Sequence, residues 1–218
     1  MSSQLLDPNK EPTPHEVQVE TLARIEVAVK NELFELAHAI KHRPINAVAL
    51  ISRNLLELDV WANYCVLSPE NAGRFYTDQA RDELDAMKKL PNSFSRNPTF
   101  NFANAGEDLL KEARKQGVFE LDGACQKVHL AAQSLGCIET FLGANKVLSK
   151  CAHPTAWFVF APHEKLEGMR ALLHSGGIAY GEEALTCIMQ FRQRIATAPQ
   201  TAGSAPPPPS NSPANSHN

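Results

Sequence analysis

The chain has 218 residues, 43% of them hydrophobic and 7% aromatic, which is enough for one well-packed core and too little for two sizeable ones. A formal net charge of -3 excludes a protein held on nucleic acid by its overall field, although a local basic patch stays compatible with it. Five cysteines, odd in number, widely spaced and without a CxxC pair, exclude a disulfide framework and suit a reducing, cytoplasmic compartment.

The first residues, MSSQLLDPNKEPTP, contain no apolar signal core, and residues 1–12 are polar enough to be expected disordered. Thr13-Pro14-His15-Glu16 reads as a helix start. Thr13 caps, Pro14 suits the first helical position and Glu16 completes a capping box. Leu22, Ile25, Val29, Leu33, Leu36 and Ile40 then recur at three- and four-residue steps, which predicts an amphipathic helix to about His42. Pro44 ends it and opens the next.

That next stretch, INAVALISRNLLELDVWANYCVL from Ile45 to Leu67, has no Gly or Pro and is apolar on nearly every face. Such a helix belongs in the middle of a bundle. It is long enough to raise the question of a membrane span, but Arg53, Glu57 and Asp59 near its centre would each be costly in lipid. Arg53 and Glu57 lie one turn apart, so they can pair. Within an apolar helix the guanidinium keeps its charge, so Arg53 is expected to be largely buried against Glu57. Loss of one partner would then cost roughly 3–5 kcal/mol. The functional alternative is that Arg53 binds an anion and Glu57 holds it in place.

Ser68-Pro69-Glu70 starts a third helix with a weaker apolar stripe of Ala72, Phe75, Ala80, Leu84, Met87 and Leu90. Asp78, Asp82 and Asp85 form a second stripe, read as a solvated face neutralised by Arg74 and Arg81. These carboxylates would suit a hard cation, but nothing nearby supplies the remaining ligands. Residues 91–103, PNSFSRNPTFNFA, read as a loop pinned by its Phe side chains. Asn104 with Glu107 is a second capping signature, closed by Gly117, and residues 118–123 are a connector.

From about Ala124 the helical pattern returns through KVHLAAQSLG and IETFLGANKVLSKCA, where Gly136 and Gly143 each predict a kink or a close helix contact. His153-Pro154 ends that segment, and Pro162 starts HEKLEGMRALLHS. Gly176-Gly177 is expected to close it, before a last helix from Ala179 to Ala198 with Ala184, Ile188, Phe191 and Ile195 inward. Residues 199–218, rich in Pro, Ser and Asn and without Asp, Glu, Lys or Arg, read as a disordered tail.

His153 sits where a helix ends, and the helix dipole there favours its charged form. It either caps the helix or acts as a general acid/base. Cys151 two residues before it does not complete a metal site, because no second ligand pair exists. His38, His42, His129, His163 and His174 have no supporting partners in the sequence. No Walker loop, GxSxG, HExxH or deaminase pattern occurs, so no cofactor is expected.

Three segments carry a family resemblance: S-R-N-L-L-E-L from Ser52, F-Y-x-D-Q-A-R-D-E-L-D from Phe75 and L-S-K-C-A-H-P-T-A-W from Leu148. Together they resemble a group of uncharacterised bacterial helical proteins that is itself similar to the HEPN superfamily of nucleotide-binding and RNase-like bundles. The resemblance implies an all-α bundle in which an Arg/Glu helix faces a His-bearing helix. HEPN ribonucleases resemble one another in an Arg, a polar residue and a His beyond a short spacer. This chain has no Arg in that window before His153, so Lys146, Lys150 or Arg53 from the neighbouring helix would have to hold a phosphate.

The expectation is therefore an all-α, HEPN-like bundle of roughly five or more helices, forming a single domain over 13–198 with disordered ends. Its function is expected to be a non-catalytic binding or interaction module in a stress or defence setting, through a protein partner or self-association. The alternative is a metal-independent ribonuclease acting on RNA. It would use His153 as general acid/base, with Arg53, Glu57, Lys146 and Lys150 as ligand-binding residues.

Overall fold

The computed structural model of the chain describes residues 12–89, 125–153 and 155–197. The expectations for residues 1–11, the Phe-rich stretch 91–103, the Asn104/Glu107 cap, the connector and the tail lie outside them. The described residues form seven α-helices and no strand: α1 (Pro14–His42), α2 (Ile45–Leu67), α3 (Pro69–Lys89), α4 (Val128–Ser134), α5 (Ile138–Ala152), α6 (Ala156–Phe160) and α7 (His163–Thr197).

The start of α1 is the capping box read from the sequence: the Glu16 amide donates to Thr13 Oγ1 at 3.2 Å, and the Thr13 amide donates to Glu16 Oε2 at 2.7 Å. Leu22, Ile25, Val29 and Leu36 are buried along it, and Leu33 packs at the edge. The apolar helix α2 takes the middle position and contacts α1, α3, α4, α5 and α7. Side chains from its neighbours satisfy the carbonyls of its last turn, which no residue of its own can reach. Gln18 of α1 donates to Cys65 O at 2.8 Å, and Asn71 of α3 donates to Tyr64 O at 3.0 Å. The end of α1 is closed in the same way by Arg170 of α7, whose Nη1 donates to Arg43 O at 2.7 Å.

Gly136 is the stop between α4 and α5. Its φ of 73° lies in the left-handed region that a residue with a Cβ avoids. Its amide donates to Gln133 O and the Cys137 amide to Ala132 O, both at 3.0 Å, which is the Schellman ending of a helix. Gly143 makes no close helix contact: it lies exposed on α5 with open space around it.

The largest departure from the sequence reading is at Gly176-Gly177. Instead of ending a helix, this pair lies inside α7, which runs unbroken for 35 residues. Here the absent Cβ serves packing. A Cβ on Gly177 would stand 2.6 Å from Ser52 Oγ and 2.8 Å from Leu36 Cδ2, and one on Gly181 would stand 2.6 Å from Leu33 Cδ2. The backbone of α7 thus lies directly on α1 and α2, and Ser52 Oγ donates to Leu173 O at 2.8 Å across the gap. Contacts run in register from there. On α2, Ser52 meets Gly177 and Asp59 shares a cleft with Glu183, while on α1 Leu33 and Leu36 meet Gly181 and Gly177, so α7 is parallel to α2 and antiparallel to α1. Further along, Glu26 of α1 pairs with Arg192 of α7. Ala184, Ile188 and Phe191 are buried as expected, with Ile195 packed at the edge.

Gly177→Ala tests this geometry. Ala is about 1 kcal/mol better than Gly inside a helix. Ser52 and Leu36 are both fully buried and cannot swing away, so overpacking of about 1–3 kcal/mol should outweigh that gain. Urea denaturation should show a net loss of stability for Gly177→Ala. Gly168→Ala, on the same helix with nothing within 4 Å, should instead gain up to about 1 kcal/mol.

Candidate functional site

The residues singled out from the sequence fall into two separate places. Lys146, Lys150 and His153 follow one another at steps of four and three along α5 and its cap, so they share one face, and all three are exposed. Leu142 and Val147 lie on the same side and keep 46% and 44% of their surface in water. Neither lysine has an ion pair among the described residues. The backbone of His153 is extended, and its amide donates to Ser149 O at 3.2 Å as the helix ends. The turn is held by the Thr155 amide to His153 O at 2.8 Å and by Thr155 Oγ1 to Lys150 O at 3.1 Å. The imidazole itself has no hydrogen-bond partner among the described residues.

Arg53 and Glu57 sit on α2 and close on each other. Arg53 Nε and Nη2 both reach Glu57 Oε1 at 3.0 Å. The contact is the expected one, but its setting is not. The two side chains keep 31% and 30% of their surface in water, so the pair borders solvent and is not sealed in the core. The reason is the stagger of α2: Ser52, Leu55 and Leu56 face the neighbouring helices, and Arg53 and Glu57 fall on the seam between them. No hydrogen bond or ion pair links this pair to His153, Lys146 or Lys150.

Asp78 also departs from expectation. It is 5% exposed instead of belonging to a solvated face. It accepts from Arg81 Nη1 at 2.9 Å and from the Gln126 amide at 2.8 Å, so it ties α3 to the residues before α4. It lines a cavity of about 290 Å³ between α1, α2 and α3, together with Thr21, Arg24, Leu58, Phe75 and Tyr76. The cavity's cation is engaged within the fold: Arg24 pairs with the buried Glu20 at 2.7 Å and lies over the Tyr76 ring.

A second cleft, also of about 290 Å³, opens between α2, the α4–α5 turn, α5 and α7. Leu56, Val60, Leu135 and Phe141 form its apolar wall, and Asp59, Asn63, Thr140, Tyr180 and Glu183 supply polar groups. Asp59 accepts from Asn63 Nδ2 at 2.9 Å, one turn along α2. Burial, reinforced by the nearby charge of Glu183, pushes the Asp59 carboxyl up from 3.8 to about 7, against the opposing hydrogen bond from Asn63. Burial also raises the Cys137, Tyr180 and Cys187 groups, with Asp59 and Glu183 adding to the effect. In the sequence Asp59 shows only as a charge in an apolar helix. Glu183 joins it through the fold, so spacing alone could not have paired them. The Asp59/Asn63 step of four is the one signal that was there to read.

Among the described residues no group of three or more His, Cys, Asp or Glu could hold a metal ion, and the cysteines are free thiols. No described helix is long and apolar enough to cross a membrane. No protein-family model, curated protein or solved structure matches the chain.

Two substitutions check the electrostatics. A pair that borders water contributes about 0–1 kcal/mol, so Glu57→Ala should cost no more than that in chemical denaturation, well under the loss expected of a sealed pair. For Asp59 the folded pKa lies above the unfolded one. Between about pH 4 and 7 the native state therefore binds more protons, and stability falls as pH rises through that window. Asp59→Asn should then raise the melting temperature at pH 8, by the equivalent of roughly 1–2 kcal/mol once solvent screening is allowed for. The gain should vanish near pH 4.

Proposed function

We propose that this chain is a non-catalytic, HEPN-like interaction module of a stress or defence setting, and that it takes an acidic protein segment on the outer face of α5. The observation that carries the reading is the composition of that face. Leu142 and Val147 stand exposed on either side of Lys146 and Lys150, whose charges no carboxylate of the described residues occupies. Uncommitted cations flanked by exposed apolar side chains suit a partner that brings its own apolar and acidic residues. A catalytic reading needs its groups within reach of one reacting atom. Here the guanidinium of Arg53 is engaged by Glu57 on α2, and His153 stands at the end of α5 with no hydrogen bond to its ring among the described residues.

The second reading is a metal-independent HEPN-like ribonuclease. One observation favours it: Lys150 and His153 lie on the same exposed face, so a phosphate held by the lysine would approach the imidazole.

One experiment separates the two. Total RNA incubated with the pure protein should stay intact, whether the protein is wild type or His153→Ala. Cleavage that His153→Ala abolishes would establish the ribonuclease. A photo-crosslinking residue at position 142 should capture a protein partner or a second copy, and Lys146→Glu with Lys150→Glu should remove that crosslink. Arg53→Ala should leave it in place.

A further inference from the structure

We propose that the cleft between α2, α5 and α7 binds a small organic ammonium ion, its charged nitrogen between Asp59 and Glu183 and its apolar body against the Leu135 and Phe141 wall. The proposal does not rest on the reading of the α5 outer face, which lies on the other side of that helix.

The α1/α3 cavity and the α2/α7 cleft have similar volumes and differ in how their acids are partnered. The α1/α3 cavity has a cation, Arg24, in its lining, and its buried acid Asp78 has Arg81 and the Gln126 amide. Around the α2/α7 cleft two carboxylates stand on different helices, and among the described residues no Lys or Arg lines it. Asp59 receives only the Asn63 amide, and Glu183 has no hydrogen bond or ion pair among the described residues. Two like charges beside an apolar wall are costly, and a cation that enters with them removes the cost.

The remaining lining defines the ligand. A primary ammonium has three N–H donors. Asn63 uses its amide nitrogen on Asp59, which leaves its carbonyl oxygen to accept, and Thr140 adds a hydroxyl. Tyr180 offers an aromatic face to a cation. About 290 Å³ is at the small end of ligand pockets. It is roughly twice the size of a cavity that takes benzene, so the fit is one ring with a short aminoalkyl chain. A nucleotide is too large and carries the wrong charge. A bare metal ion would leave the apolar wall unused and lacks a third ligating side chain among the described residues.

The groups that face Asp59 are Glu183, Tyr180 and Cys187 from α7 and Cys137 from the turn before α5. The thiols and the phenol stay neutral near pH 7 because burial raises all three. Asp59 is therefore the group that must ionise for an ammonium to be held.

Isothermal titration of the full chain with phenethylammonium tests this, with phenethyl alcohol as the uncharged control. Saturable binding should be on the order of tenfold tighter for the ammonium than for the alcohol. It should be tighter at pH 8 than at pH 6, with proton release at pH 6 that is seen by comparing two buffers of different ionisation heat. Asp59→Asn and Glu183→Gln should each weaken it about tenfold. Glu183 is exposed, so its variant keeps the fold and preserves the test if Asp59→Asn does not. Lys146→Glu should leave binding unchanged. Absence of saturable binding, equal affinity for the alcohol, or full affinity in the folded variants would overturn the proposal.

Discussion

Between α2 and α7 there is no room for a methyl group. Ser52 on one helix and Gly177 on the other bring the two backbones together, and the Ser52 hydroxyl spans the seam to Leu173 O. Much of the bundle follows from that contact. With α7 laid on α2 in parallel, each turn beyond the contact matches the two helices again. Two turns on, Asp59 of α2 faces Tyr180 and Glu183 of α7. The same backbone also touches α1 through Leu36 and Leu33, so one narrow strip of α7 sets its distance from both neighbours. Small residues at such a point cost helix propensity and return close packing, a trade that only a contact across the core can favour.

Charge is arranged by the same economy of position. Where two helices meet at the edge of the core, acid and base meet with them: Glu26 with Arg192 between α1 and α7, and Asp78 with the Gln126 amide between α3 and the residues before α4. Within a helix the pairs are local, as in Arg24 with Glu20 and Arg53 with Glu57, and they serve the seam on which they lie. Asp59 and Glu183 depart from this pattern. They are brought together without a cation, in a cleft whose other wall is apolar, and burial keeps the Asp59 carboxyl near half protonation around neutral pH. The half-buried Asp59 and the exposed Glu183 thus leave a concentration of negative charge that no described cation offsets.

The outer face of α5 is of another kind. Lys146, Lys150 and His153 are brought together by the helix itself, since steps of four and three put residues on one side whatever the rest of the chain does. Their exposure follows from Phe141, Leu148 and Cys151 being the residues α5 buries. The grouping of these residues on α5 was therefore legible from the sequence, and the cleft was not, because its two carboxylates lie on helices far apart in the chain.

What the sequence determined alone was whatever depends on neighbours within a few residues. The capping box at Thr13, the apolar stripe of α1, the central place of α2 and the end of α5 at His153 are all local, set by 3.6-residue periodicity and by hydrogen bonds that short spans can close. Only the tertiary structure decided the meaning of residues whose role lies across the core. Gly176-Gly177 carries the local signature of a helix end, and a chain without partners would favour one there. Burial of Ser52, Leu36 and the stripe from Ala184 to Phe191 against a continuous α7 outweighs that preference. By spacing, Asp78 reads as a surface acid and Asp59 as a lone charge in an apolar helix. One is buried because Arg81 and the Gln126 amide come to it, and the other because α7 closes over it, since solvation is a property of what surrounds a side chain and not of the residues beside it in sequence.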